Sequence, residues 1–261
     1  MSAQGSRFGD AWDRYVESFG TKKASFSERA GRLIEVPGDE WGEPDGWQRR
    51  VAVLFRQRLN AGAPILALEI GPGSGKYTRL FLEAFPESRI IACDVSARFL
   101  EILKTGNAEA IQSKRLLPEL LEPLQDCLER AAAKHDAVGN VDCIFSIDSM
   151  VHVGLQYLVA YWQSALHILK PNGLLVMGVA DATTPEGYQK LMRDVPSYFS
   201  KQGAGAFGQF EWMSAELAVK VLEKMGFVVE LVPEASTRDC YFVATKGRTS
   251  KAGRQSEGVL P

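Results

Sequence analysis

Two groups of residues in this chain have the types and spacing to do chemistry. In "LALEIGPGSGKYTRLF", Leu66 to Phe81, the glycines Gly71, Gly73 and Gly75 alternate with other residues between an apolar run and a helix-like run. Glycine weakens regular structure, so such a cluster marks backbone that turns sharply or lies against a ligand. Asp94 ends the next apolar run, 19 positions after Gly75. A carboxylate at that offset can accept hydrogen bonds from both hydroxyls of a ribose. The second group is Asp148 and His152, four apart in "SIDSMVHVG". A helical turn would put them on one face, where the carboxylate could orient or charge the imidazole for general-base work near neutral pH. The alternative is that His152 caps or packs the turn while Asp148 bonds local backbone amides. Close by in sequence there is no second histidine or acidic cluster to complete a site with His152, so no metal is expected.

The elements that must position these residues alternate short apolar runs with amphipathic segments, the pattern of a parallel sheet covered by helices. "ILALEI" (65–70) and "RIIACD" (89–94) read as the first two strands, with a helix from about Lys76 to Phe85 between them. Ser96 can cap the helix "ARFLEILK", and "VDCIFSID" (141–148) reads as a later buried strand. Leu155, Leu158, Val159, Trp162, Leu166 and Leu169 recur at helical spacing, and "GLLVMGVA" (173–180) is the strand after that helix. Ser214 opens a helix closed by Gly226, and "FVVELV" and "CYFVAT" are two final strands. Between Lys104 and Asn140 only "EAIQS" is a candidate strand; the remainder reads as a helical insert interrupted by Pro118 and Pro123. Residues 1–62, with scattered aromatics, read as an N-terminal cap of helices and loops, 63–246 as the main domain, and 247–261 as a disordered polar tail.

Composition narrows the function classes. Lys plus Arg total 30 against 32 for Asp plus Glu, so there is no cationic excess to neutralise phosphates and no nucleic-acid partner is expected. No apolar run approaches the roughly 20 residues that span a bilayer, and no membrane partner is expected. Cys93, Cys127, Cys143 and Cys240 are far apart, which fits reduced thiols in a cytoplasmic protein.

A dinucleotide fingerprint would place its last glycine at position 76, where this chain has Lys76, and a Walker loop would need Ser or Thr at Tyr77. Instead "LEIGPGSG", "ACDVS", "DCIFSID" and "LKPNGLLVMG" resemble successive motifs of the class I S-adenosylmethionine-dependent methyltransferases, over about Ile65 to Lys246. The resemblance implies an α/β, Rossmann-like, doubly wound sheet of seven strands, mostly parallel with an antiparallel last strand. It also implies S-adenosyl-L-methionine as cofactor. Glu69, Gly71, Gly73 and Gly75 would border its methionine and ribose, Asp94 would hold the ribose hydroxyls, and Val95 would touch adenine. The family often places an acidic residue after the third strand to meet the adenine amine, and here the pattern offers only Gln112 and Ser113.

The reaction expected is methyl transfer to an oxygen or nitrogen of a small-molecule or sugar-like acceptor, with oxygen favoured by the His152 proposal. The rivals are a noncatalytic cofactor-binding scaffold and a nucleotide-dependent oxidoreductase. Trp12 and Tyr15, three apart, could share a helix face over the cofactor. "GDEWG", 38–42, could line an acceptor pocket. The long connection over 181–213, with Tyr188, Arg193, Tyr198, Phe207, Phe210 and Trp212, has the length of a lid hinged at "GAGAFG". Packing or homodimer formation is the other use open to it.

Overall fold

Strand residues divide by parity between two packing layers. The computed structural model describes residues 3–122, 124–200 and 209–247. In β1 (Leu66–Ile70) Leu68 and Ile70 face one layer while Ala67 faces the other. The same period of two sends Ile91 and Cys93 of β2 (Arg89–Asp94) to the first layer and Ile90 and Ala92 to the second. Both faces are apolar because helices cover both, as parallel sheets require.

The chain opens with a long helix, α1 (Ala3–Ala30), then α2 (Pro44–Val51), which runs on through a π-helical turn at Ala52–Arg56. After β1 come α3 (Lys76–Ala84), β2, α4 (Ala97–Gly106) and the short α5 (Ala108–Gln112). The order continues with β3 (Leu116–Leu120), α6 (Cys127–Ala133), β4 (Val141–Ser146), α7 (Leu155–Ile168), β5 (Leu169–Ala180) and α8 (Pro185–Ser200). It closes with α9 (Ala215–Lys224), β6 (Phe227–Leu231) and β7 (Asp239–Lys246). Ser96 and Ser214 cap α4 and α9 by accepting from Phe99 N and Leu217 N.

The seven strands lie in the order β3-β2-β1-β4-β5-β7-β6, with β7 antiparallel to both neighbours. This is the doubly wound α/β sheet expected from the motifs. Leu128, Leu158, Trp162 and Leu222 of α6, α7 and α9 cover one face. Leu54, Phe55, Tyr77, Phe81 and Leu103 cover the other. The order reverses between β1 and β4, so the carboxyl ends of β1, β2 and β4 frame the crevice where such sheets bind ligands.

Two expectations need correction. "EAIQS" is the helix α5, not a strand; the third strand is "LLPEL", which had read as part of a helical insert. Pro118 is tolerated because β3 is an edge strand, pairing with β2 alone. β5 begins pairing at Leu169, opposite Val141, and resumes at Leu174 opposite Cys143, so "KPNG" bulges out within the strand rather than preceding it. Pro123, the hinge "GAGAFG" and Phe207, and the 247–261 tail after Gly247 lie outside the described residues. Among the described residues no helix is long and apolar enough to cross a membrane, and all four cysteines are buried thiols.

Candidate active site

The three glycines leave β1 with φ of +68°, +56° and +86°, all in the left-handed region that favours glycine. Each has its own reason. A Cβ on Gly71 would stand 2.6 Å from Ser149 Oγ, because Ser149 closes on this turn and donates to Gly71 O at 2.6 Å. Gly73 N donates to Asp94 Oδ2 at 3.1 Å, joining the ends of β1 and β2. A Cβ on Gly75 would meet Leu103 Cδ1 at 2.5 Å, so this glycine serves the packing of α3 on α4. Next to it Lys76, only 8% exposed, donates to Gly38 O and Trp41 O and sits 4.3 Å from the Trp47 ring centroid. It ties the loop before α2 to the glycine turn; burial lowers its pKa to about 8 against the pull of Asp148 and Asp39.

Beside this turn lies a cavity of about 410 Å³, within the range of about 300–1,000 Å³ usual for small-molecule sites. Gly71, Gly73, Asp94 and Val95 line it, as do Asp148 and His152. Asp94 Oδ1 also accepts from Ser96 N at 2.9 Å, and burial lifts its pKa to about 6 despite the backbone N–H donors. Both carboxylate oxygens are therefore oriented by backbone before any ligand arrives. Glu69 and Gly75 stand off the cavity. Glu69 is buried, accepts from Thr78 Oγ1 at 2.6 Å, and is pushed up to about 8 by burial, so its contact is to α3. Tyr15 stands behind the wall: its hydroxyl bonds Glu40 and accepts from Gly38 N, and its ring stacks on Trp41 at 5.4 Å. Trp12 and Trp41 supply the wall itself. α1 reaches the site because Gly9 lets its backbone press on Val95 O, 2.6 Å from where a Cβ would sit.

The spacing of Asp148 and His152 does not yield the expected pair. Asp148 has φ +62°, off any helix, and the turn that follows is a 3-10 segment, Met150–His152. Its carboxylate receives Arg50 Nη1 at 3.2 and 3.1 Å and the hydroxyls of Tyr77 and Tyr241 at 3.2 Å each. Burial alone would raise the Asp148 pKa; Arg50 and Lys76 overcome it and hold it below the usual carboxylate range. His152 turns to the backbone instead, with Nδ1 2.6 Å from Gln209 O. A carbonyl can only accept, so Nδ1 carries the proton and Nε2 the lone pair. The imidazole lies between Trp12 and Phe210, ring centroids 5.2 and 5.1 Å away. Burial lowers its pKa to about 4; the Gln209 carbonyl opposes this, while Arg238 and Lys190 add to it.

Arg50 is a site residue that no local spacing announced. Glu122 and Gln125, which line the cavity just after β3, were hidden by the misplaced third strand. They, rather than Gln112 and Ser113 at the end of α5, are the polar residues that follow the third strand. A strand ending in "LLPEL" and followed by an acid was the available signal. Of the aromatic residues in 181–213, Phe210 reaches His152 and Trp212 packs on Phe210 at 5.3 Å, whereas Tyr188 and Tyr198 of α8 are exposed.

Residues 68–175 match the family model described as a methyltransferase domain. Among solved structures, an O-methyltransferase family protein from Burkholderia thailandensis aligns with a TM-score of 0.59 at 13% identity, over 95% of this chain and 64% of that one. Magnesium protoporphyrin IX methyltransferase from Synechocystis PCC 6803, with bound S-adenosylhomocysteine, aligns with a TM-score of 0.56 at 15% identity, over 89% of this chain and 98% of that one. A Haemonchus contortus phosphoethanolamine N-methyltransferase, in complex with phosphomonomethylethanolamine and S-adenosylhomocysteine, gives 0.58 at 15%, over 92% and 60%. The chain thus spans under two thirds of the first and third of these proteins, and identities this low speak for the fold. No curated protein matches the sequence.

Proposed function

We propose that this chain is a class I S-adenosylmethionine-dependent methyltransferase that methylates an oxygen or nitrogen of a small-molecule or sugar-like acceptor, with His152 as the base; the methyltransferase-domain match over residues 68–175 supports the reading. The residues at the cavity fit the cofactor. Gly71 and Gly73 offer close backbone approach, Asp94 an oriented acceptor pair for ribose hydroxyls, Val95 an apolar contact and Glu122 an acidic group for the adenine side. Bound there, S-adenosylmethionine would supply a methyl carbon made electrophilic by its sulfonium, for transfer to the acceptor's lone pair.

The observation that carries the acceptor assignment is the single hydrogen bond from His152 Nδ1 to Gln209 O. It fixes the tautomer whose Nε2 lone pair can take the acceptor's proton, in a histidine that lines the cavity. Trp12 and Trp41 exclude water from that wall, residues 1–62 act as a cap on the 63–246 domain, and Phe210 packs on His152 from the far side. A formal charge of −2 favours a small acceptor over nucleic acid.

Calorimetry with S-adenosylhomocysteine, followed by a methyl-transfer screen across hydroxyl and amine metabolites, tests the reading. Binding with product formation supports it. Binding without product in any class would favour a noncatalytic scaffold, and preferential NAD(H) binding an oxidoreductase.

A further inference from the structure

We propose that the methyl acceptor carries a carboxylate and that Arg238 binds it. The inference deepens the methyl-transfer reading and rests on it. Because β7 runs antiparallel, its first residues return to the sheet edge where β4 and β5 end: Asp239 pairs with Ala180, and Arg238 O accepts from Asp181 N at 3.3 Å. The Arg238 guanidinium lies 5.1 Å from the centroid of the Phe210 ring, and that ring stands 5.1 Å from His152. Lys190 Nζ lies 4.3 Å from the same ring centroid.

The two cations differ. Lys190 is ion-paired with Asp194 at 2.5 Å, whereas Arg238 has no ion pair among the described residues. Its neighbour Asp239 is fully buried and receives the Thr237 hydroxyl at 3.2 Å rather than the guanidinium. Asp148, the other nearby carboxylate, is held by Arg50, and Arg238 acts on it and on Asp239 by attraction that pulls their pKa values down, without forming an ion pair with either. A second observation points the same way. Gln209, whose carbonyl fixes His152, has its side-chain amide nitrogen and oxygen both inaccessible and without a partner among the described residues, a cost that polar ligand atoms would relieve. One guanidinium with no ion pair among the described residues fits one carboxylate, whose two oxygens match its planar fork. A dianionic phosphate would call for more positive charge than is left over here.

Occupancy of Arg238 would also act on the base. The charged and polar groups facing His152 are the Gln209 carbonyl, Arg238, Lys190 and Asp148. Neutralising Arg238 removes one of the two positive charges that disfavour the imidazolium, so His152 becomes the stronger base when an acid is bound.

Benzoate, benzamide and phenyl phosphate are the probes, titrated by calorimetry and by histidine NMR into protein with and without S-adenosylhomocysteine. Benzoate is expected to bind at least ~tenfold tighter than benzamide and to raise the His152 pKa. Arg238→Gln should erase that preference and leave S-adenosylhomocysteine affinity unchanged, while Arg238→Lys keeps part of it. Unchanged S-adenosylhomocysteine affinity also shows that the variants fold. Equal binding of benzoate and benzamide, no benzoate binding, or full benzoate affinity in Arg238→Gln overturns the proposal. Phenyl phosphate binding tenfold tighter than benzoate overturns the carboxylate in favour of a phosphate. Failure to bind S-adenosylhomocysteine sinks the methyl-transfer reading instead, and the titrations without it judge Arg238 separately.

Discussion

The Arg50 guanidinium meets the Asp148 carboxylate at 3.1 Å across 98 positions of sequence, joining the helix before the sheet to the end of β4. Both side chains are largely buried, and two tyrosine hydroxyls complete the carboxylate's shell. Breaking such a pair from one side strands a buried charge, which costs far more than removing both. Arg50→Met should lower unfolding free energy by about 3 kcal/mol in urea titration. The double variant Arg50→Met with Asp148→Asn should lose less than the sum of its single changes; strict additivity would mean the two residues do not interact.

Gly71→Ala is expected to weaken S-adenosylhomocysteine binding by at least ~tenfold, because the new methyl falls within 2.6 Å of Ser149 Oγ at a φ of +68°. Adding Ser149→Gly removes the clash but not the backbone cost, and so should restore the affinity only in part. Calorimetry on the two variants decides it.

Asp94 sets two slopes of opposite sign. Burial lifts its pKa to about 6, so the folded protein holds this proton more tightly than the unfolded chain. Its contribution to unliganded stability is therefore present at low pH and lost as pH rises through about 6. S-adenosylhomocysteine should show the reverse, binding more tightly as pH rises from 5 to 7, because only the carboxylate accepts from both ribose hydroxyls. Asp94→Asn should flatten both slopes, and affinity that does not vary with pH in the unaltered protein would remove Asp94 from the ribose.

For His152 the acid limb of kcat/KM should fall near pH 4, well below the ordinary imidazole range, because burial and two nearby cations depress its pKa. Activity needs the neutral ring, so the rate should be level above about pH 5 as far as this group is concerned. His152→Ala should cost roughly a hundredfold in turnover. A limb near pH 6.5, or an unchanged rate at saturating acceptor, would show that another group is the base.

Much of this was written in local patterns, and the exceptions share a cause. β1, β2 and β4 declare themselves as apolar runs because both their faces are covered, and the glycine turn and Asp94 are legible because each sits directly at a strand end. β3 escaped because Pro118 and Leu-Glu-Leu mimic a broken helix, and only the sheet edge makes proline acceptable there. Arg50 with Asp148 and His152 with Gln209 were invisible for a different reason. Their partners lie 98 and 57 residues away, and the four-residue spacing of Asp148 and His152 implied a helical turn that the left-handed Asp148 does not begin.

The insertion of β7 between β5 and β6 has a consequence for biosynthesis. Neither of those strands touches the other, so on a ribosome β6 emerges with no ladder partner and waits until the following segment has been made. Cooperative closure of that half of the sheet must come late, from contacts distant in sequence, which is the slow kind. Tyr241 arrives with the same strand and completes the hydroxyl pair on Asp148, so a nascent chain stalled before β7 would expose a frayed apolar edge to chaperones while lacking a finished pocket.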